Sequence, residues 1–147
     1  YWEPAEDKYT IHQTKTCVAA FGEEEGWNRE VGLKAEITPL TRPFGLYAGN
    51  VLQGMVKFKG KPVAEVEVEV EFWNADRKVT APNGYFYTQV IKTDKNGVFT
   101  FAVPAAGWWG FAALMEEKQA FPYSDGRKKD AEYGAVLWVQ FVAWPGK

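Results

Sequence analysis

The sequence predicts an all-β fold, a single antiparallel β-sandwich of about seven or eight strands. Residues 65–73 alternate strictly, with Val66, Val68, Val70 and Phe72 on one side and mainly glutamates on the other. Side chains of a strand point alternately to its two faces, so this stretch is a strand with one buried face. Turn signals recur at short intervals, and no convincing amphipathic helix lies between them. This combination is typical of two packed antiparallel sheets.

The first third of the chain contains two further predicted strands. A polar leading segment over residues 1–8 precedes a strand over residues 9–21, which is rich in β-branched side chains. Glycines on both sides of the acidic run 23–25 end that strand, and residues 27–35 show no clear period. A short strand is predicted over residues 36–40.

The rest of the chain is predicted to be strands joined by tight turns. These strands cover residues 50–58, 65–73, 85–93, 98–103, 108–114 and 133–143. Phe99 and Phe101 are predicted to enter the core together with the apolar face of residues 65–73. The turn at Gly60 and Lys61 predicts that the first two are neighbours. The turn 94–97, with Asp94 bonding its own backbone, predicts a hairpin between the third and fourth. The charged residues 116–130 predict a loop before the last strand.

Composition bounds the function. A chain of 147 residues suits one domain over residues 1–147. The net charge of −2, with both signs mixed, argues against a nucleic-acid partner. A single cysteine excludes an intramolecular disulfide, and no apolar run is long enough to span a membrane. The start at Tyr1, without Met or a signal-peptide pattern, predicts a piece of a longer, exported protein.

Two phrases resemble known sandwich modules. Residues 60–68, Gly-Lys-Pro-Val-Ala-Glu-Val-Glu-Val, and residues 93–101, Thr-Asp-Lys-Asn-Gly-Val-Phe-Thr-Phe, are similar to the paired hairpins of Ig-like modules. Such modules include the carboxypeptidase regulatory and collagen-adhesin B-type repeats. This resemblance implies a sandwich that is Ig-like or prealbumin-like.

A longer resemblance implies a function. Residues 31–44 and 106–112, together with residues 1–4 and 21–27, resemble a bacterial family of domains of uncharacterised function. That family is described as the periplasmic component of cobalt and nickel uptake systems. The resemblance spans nearly the whole chain and implies a periplasmic or extracytoplasmic domain with an accessory or interaction role and Ni²⁺ or Co²⁺ as the candidate metal. It aligns the chain with the C-terminal half of such proteins, so the N-terminal domain and membrane transport subunits are the expected partners.

The candidate metal ligands are few. His12 is the only histidine, and imidazole is a common ligand of nickel and cobalt. Cys17 is five residues further on, which places it on the opposite face of a regular strand, so a shared site is not expected. Glu24, in the acidic run 23–25, would supply an oxygen ligand if the chain folded back towards His12. The competing interpretation is that His12 is structural, Cys17 a small buried side chain and the acidic run a solvated loop.

The glutamates at alternate positions of residues 65–71 are a weaker candidate for a cation site. Alternate residues of one strand lie about 7 Å apart, too far for two carboxylates to chelate one ion unaided. A solvated face is the more typical arrangement, with Lys57, Lys59 or Lys92 of neighbouring strands neutralising the carboxylates.

Aromatic residues make up 16% of the chain, with seven tryptophans. Trp108 and Trp109 are consecutive in a predicted strand, so one ring enters the core and the other faces outward. An outward ring near Trp73 or Tyr85 would cover a partner domain or stack on a sugar ring. Covering the N-terminal domain is the preferred interpretation, and a carbohydrate-binding or adhesive module is the alternative.

Catalysis has little support. A nucleophilic triad needs a histidine beside Ser or Cys, and His12 lies among Thr and Gln residues. A glycosidase pair remains open, since many carboxylates always permit one pair. We therefore predict a non-enzymatic domain.

Overall fold

The structure is a computed structural model that describes residues 1–22 and 24–146, and it consists of strands in two sheets. The strands are β1 (Trp2–Glu3), β2 (Lys8–Thr16), β3 (Ala35–Pro39), β4 (Leu46–Tyr47), β5 (Val51–Phe58), β6 (Lys61–Pro62), β7 (Glu67–Phe72), β8 (Gln89–Lys92), β9 (Val98–Ala102), β10 (Gly107–Pro122) and β11 (Lys128–Val142). Within the described residues, the one helical element is a 3₁₀ turn at Gly84–Phe86. This part of the chain contains no helix long and apolar enough to cross a membrane.

The larger sheet has the strand order β1-β2-β11-β10-β7-β8, with β4 added beside the end of β11. In the smaller sheet, β5 pairs with β3, β6 and β9. Most pairs are antiparallel, as predicted, but β11 runs parallel to both β2 and β4. The long antiparallel pair of β10 and β11 therefore forms the centre of the larger sheet.

The two sheets enclose an apolar core, which confirms the predicted all-β sandwich. Phe99 of the smaller sheet stacks on Phe111 of the larger sheet, with 5.7 Å between ring centroids. Val68, Val70 and Phe99 are fully buried, as predicted. The other predicted core residues pack against the margin of the core and are partly buried: Val66, Phe72 and Phe101.

Both predicted hairpins are wrong in the same way, because the chain crosses between the sheets at each turn. After β5 the chain pairs back only briefly as β6, and then enters the larger sheet as β7. The turn after Asp94 has the expected local structure, since the Asp94 carboxylate accepts hydrogen bonds from the Asn96 and Val98 amides. However, β8 pairs with β7 and β9 pairs with β5, so this turn links two sheets.

Three predicted boundaries also need correction. The strand predicted over residues 9–21 ends at Thr16, and residues 85–88 form the end of a 3₁₀ turn and a bend instead of a strand. The predicted loop over residues 116–130 is mostly strand: the backbone pairing of β10 with β11 continues through it, and exposed ion pairs such as Lys118 with Asp130 cross between the two strands. Charge there marks the exposed end of a hairpin and not a loop.

The irregular segment before β3 is held by a buried carboxylate. Glu36 is 3% exposed and accepts hydrogen bonds from the backbone amides of Val31, Gly32 and Leu33 at 2.8–3.2 Å. Lys15 of β2 donates a further hydrogen bond at 2.7 Å. Burial raises the pKa of the Glu36 carboxyl, but these donors outweigh it and hold that pKa below its ordinary value.

Candidate functional site

The outward face of the larger sheet has a groove with a floor of small side chains. In β10, Trp109 and Phe111 point into the core, so Gly110 and Ala112 face outward. Val136 of β11, paired with Ala112, continues this floor. The two long strands at the centre of the sheet therefore leave a low strip between their neighbours.

Longer side chains of the flanking strands form the walls of this groove. On one side β7 contributes Glu69 and Glu71, because its valines point into the core. On the other side β2 contributes His12 and Thr14. The space between these walls is about 430 Å³, a size that suits a small ligand. We call this space the acidic groove; its glutamates are Glu3, Glu6, Glu69, Glu71 and Glu132.

Two ring side chains lie over glycines on this face. A Cβ atom at Gly134 would come within 2.8 Å of the His12 ring, and one at Gly110 within 2.9 Å of the Trp138 ring. Such distances are shorter than van der Waals contact, so only glycine lets the rings lie this low. The sequence thereby sets where the imidazole and the indole rest on the sheet.

The carboxylates of the acidic groove are unequally neutralised. Glu132 accepts a hydrogen bond from Lys8 at 2.7 Å, and Glu71 accepts one from the Thr88 hydroxyl at 2.5 Å. Among the described residues, Glu69 forms no ion pair with a Lys or Arg. Burial, followed by the charges of Glu71 and Glu132, raises the pKa of the Glu69 carboxyl above its ordinary value.

A second depression continues the groove at the Trp138 end. It is lined by Thr14, Thr16, Trp73, Trp108 and Trp138 and measures about 390 Å³. The rings of Trp73 and Trp138 are nearly perpendicular, at 83°, with centroids 5.6 Å apart. We call this depression the tryptophan cradle. It shares Thr14 and Trp138 with the acidic groove, so the two form one continuous surface.

The two predicted metal ligands lie in different places. His12 is exposed on the wall of the acidic groove, whereas the Glu24 carboxylate lies 3.2 Å from the Arg42 guanidinium. Glu23, in the same acidic run, lies outside the described residues. Over residues 1–22 and 24–146, no group of three or more His, Cys, Asp or Glu side chains is arranged to hold a metal ion. The Cys17 thiol, predicted to be buried, is half-buried and donates to the Trp27 carbonyl.

The predicted aromatic surface divides into three parts. Trp108 is 40% exposed and Trp73 is 59% exposed, and both belong to the tryptophan cradle. Trp109 is fully buried, with its indole N–H donating to the Ala105 carbonyl at 2.9 Å, so it is a core residue and not part of a binding surface. Tyr85 is exposed in the 3₁₀ turn and does not line the cradle.

The sequence analysis missed several residues of this surface, of which Trp138 and Glu132 are the most important. Trp138 and Glu132 lie in β11, where a nearly continuous apolar run hides the alternation of faces. The parallel pairing of β11 with β2 brings Trp138 level with Thr16 and Gly134 level with His12. The signal available in the sequence was the small residues Gly110 and Gly134 within strands, which often mark a close approach.

The predicted lysine partners of the glutamate row are corrected in part. Lys92 of β8 lies 3.6 Å from Glu67, as cross-strand pairing predicted. Lys57 pairs instead with Glu30, and Lys59 with Glu117, because β5 belongs to the other sheet. The outward face of β7 therefore has less positive charge beside it than the sequence suggested.

Comparison with known families assigns the chain. Residues 1–117 match the model of a family described as a domain of unknown function, DUF4198. The chain belongs to this family. No curated protein and no solved structure shows significant similarity to it. The DUF4198 match includes Glu69, Glu71, Trp73 and Trp108 of the groove and cradle, and ends before the β11 strand that completes both.

Proposed function

We propose that this DUF4198 chain is a non-enzymatic binding domain that acts through the acidic groove and the tryptophan cradle. One observation carries the proposal: the centre of the larger sheet is kept low by glycine and alanine, while carboxylates, an imidazole and indoles stand around it.

We further propose that the domain has an accessory or interaction role in a nickel or cobalt transport-associated protein in the periplasm. The resemblance of residues 31–44 and 106–112 to that family supports this role, together with the DUF4198 match. The N-terminal domain of the same precursor and membrane transport subunits are the proposed partners. His12, with the carboxylates of the acidic groove, is the proposed contact for Ni²⁺ or Co²⁺.

Calorimetric titration of Ni²⁺ and Co²⁺ at neutral pH tests the metal role. One imidazole with carboxylates and water makes a weak site, so we expect a low-affinity isotherm that His12→Ala weakens further. Glu24→Gln is the matched variant, because its carboxylate is paired with Arg42 away from the groove. An isotherm unchanged by His12→Ala would make His12 a structural residue, and no heat with either metal would contradict the metal role.

The second candidate is a carbohydrate-binding or adhesive module, favoured by the exposed rings of Trp73 and Trp108. Sugars bind to indole faces with polar groups around them. Affinity electrophoresis in gels containing soluble polysaccharides tests it, with Trp73→Ala as the binding variant and Trp144→Ala as the control. This candidate is supported if polysaccharide slows the migration of the protein and of the Trp144→Ala variant but not of the Trp73→Ala variant. Migration of the protein that does not depend on polysaccharide would contradict it.

A further inference from the structure

We propose that the tryptophan cradle holds the quaternary ammonium group of a small soluble cation. This inference rests on the proposal that the domain binds through this face, and it names the chemical class of the ligand. It rests on three observations: the angle between the rings of Trp73 and Trp138, the absence of a Lys or Arg side chain over these rings among the described residues, and the negative charge of the adjoining acidic groove.

The angle between the rings favours a compact cation over a flat sugar. Trp73 and Trp138 meet at 83° with centroids 5.6 Å apart, and Trp108 lines the same depression. A pyranose stacks on one flat face or on rings that are coplanar, whereas rings at right angles form a corner. A spherical methylated ammonium group in such a corner contacts the negative face of more than one ring.

Within the described part of the chain, no lysine or arginine already occupies these rings. Lys129 lies over the rings of Trp2 and Tyr123, and Lys34 lies over Tyr133. No such contact is made to Trp73, Trp108 or Trp138, although two of these rings are substantially exposed. The cradle therefore offers indole faces over which, among the described residues, the protein places no cation of its own.

The charge next to the cradle selects a cation. Five glutamates and, among the described residues, no Lys or Arg line the acidic groove; the nearby Lys8 is paired with Glu6 and Glu132. Trp73 directly follows β7 and lies on the same side of the sheet as Glu71, two residues and about 7 Å away along the backbone. The pairing of Glu71 with Gly110, and of Gly110 with Trp138, places this carboxylate on the row that ends at the cradle.

The same walls determine which quaternary ammonium compounds fit. A phosphate or carboxylate a few bonds from the nitrogen, as in a phosphocholine headgroup or a betaine, would meet the glutamates and be repelled. A cation with only a neutral substituent avoids this cost. A quaternary nitrogen also donates no hydrogen bonds to water, so it enters an apolar corner more readily than a primary ammonium.

Titration with choline, followed by tryptophan fluorescence, tests this inference. The matched ligand is the neutral analogue of choline in which carbon replaces the nitrogen, because it has the same shape without the charge. We expect choline to bind at least roughly tenfold more tightly than this analogue, and phosphocholine to bind more weakly than choline. Equal affinity for choline and its neutral analogue, or no binding of choline, would overturn the inference.

Variants locate the choline site. Trp73→Ala should abolish the fluorescence change, and Glu71→Gln should weaken affinity about two- to fivefold and reduce its dependence on salt. Trp144→Ala is the control, since Trp144 is 70% exposed and packs on Tyr47 outside the cradle. Choline binding that survives Trp73→Ala would overturn the assigned location. Because Trp73 is exposed, its loss should not impair folding, which a thermal melt verifies.

Two further titrations, one with Ni²⁺ or an oligosaccharide and one with phosphatidylcholine vesicles, distinguish failure of this inference from failure of the broader proposal. If choline fails while Ni²⁺ or an oligosaccharide perturbs the indoles of the cradle, the cation class is wrong and the binding face stands. If no ligand perturbs them, both proposals fail. Binding to phosphatidylcholine vesicles without binding to free choline would show a lipid surface as the source and would contradict a soluble ligand.

Discussion

The indole of Trp138 lies over Gly110, so closely that a Cβ atom there would stand 2.9 Å from the ring carbon Cη2. The two residues are cross-strand partners at the centre of the larger sheet. The ring of Trp138 therefore occupies the space that a side chain at position 110 would take. In this position it lines both the acidic groove and the tryptophan cradle.

Gly110→Ala should displace Trp138 and deform the cradle. We expect the free energy of unfolding to fall by about 1–3 kcal/mol, because an added methyl group forces a packed ring from its position. Urea denaturation measures this cost, and tryptophan fluorescence should change in the folded state. Gly84→Ala is the control, since a Cβ there meets no atom within 4 Å. Equal costs for the two variants would contradict the packing of Trp138 on Gly110.

Glu36→Gln should destabilise the protein by about 3–5 kcal/mol, because Lys15 would be left without its counter-charge at a largely buried position. The Glu36 carboxyl has a lowered pKa in the folded protein. Its contribution to stability is therefore present above the ordinary pKa of 4.5 and is lost as the pH falls through the folded value. Denaturation at several pH values should show this acid-side loss in the native protein and not in the variant.

The matched control for Glu36 is Glu30→Gln, which breaks the more exposed pair with Lys57. Its cost should stay below about 1 kcal/mol, as for other surface ion pairs. A Glu36→Gln variant as stable as Glu30→Gln would show that the carboxylate does not anchor the segment before β3.

Glu69→Gln should stabilise the protein at neutral pH by less than about 1 kcal/mol, because it removes repulsion from neighbouring carboxylates. The pKa of Glu69 is raised in the folded state, so the folded protein binds more protons and loses stability as the pH rises between the ordinary and the raised pKa. The variant should lack this loss in a pH series of thermal melts. Destabilisation by Glu69→Gln would mean that its carboxylate has a favourable partner.

Phe72→Ala should lower the free energy of unfolding by about 2–3 kcal/mol, somewhat less than the same substitution of a fully buried phenylalanine. The ring is partly buried and packs edge-on against Trp109 at 5.3 Å. Chemical denaturation gives the cost, and Phe21→Ala, an exposed ring, serves as the control. A cost as small as that of Phe21→Ala would mean that Phe72 faces solvent and that the faces of β7 are inverted.

The positions of the strands along the chain were predicted more accurately from the sequence than the pairing of those strands in the sheets. The alternation in β7 identified its buried face, since burial on one side of a strand depends on local pattern alone. Pairing depends on distant residues. The turns before β7 and after β8 have hairpin chemistry, yet each carries the chain to the other sheet, because the core needs both sheets closed over it.

The candidate site shows the same division. Trp73, and one of the two residues Trp108 and Trp109, could be named from the sequence because adjacent aromatic residues on a strand must face opposite ways. Trp138 joined them only through the parallel pairing of β11 with β2, which no local signal predicts. Which of Trp108 and Trp109 enters the core was likewise set by the register of β10 against β7, where Trp109 pairs with Phe72.

The central claim is that ligands bind on the outward face of the larger sheet, and the indole N–H signals of the seven tryptophans test it most directly. A proton–nitrogen correlation spectrum recorded during choline titration should show shifts for Trp73, Trp108 and Trp138. The signals of buried Trp109 and of Trp144 should stay in place. Shifts confined to Trp144, or no shift at any tryptophan of the cradle with choline, Ni²⁺ or an oligosaccharide, would contradict the claim.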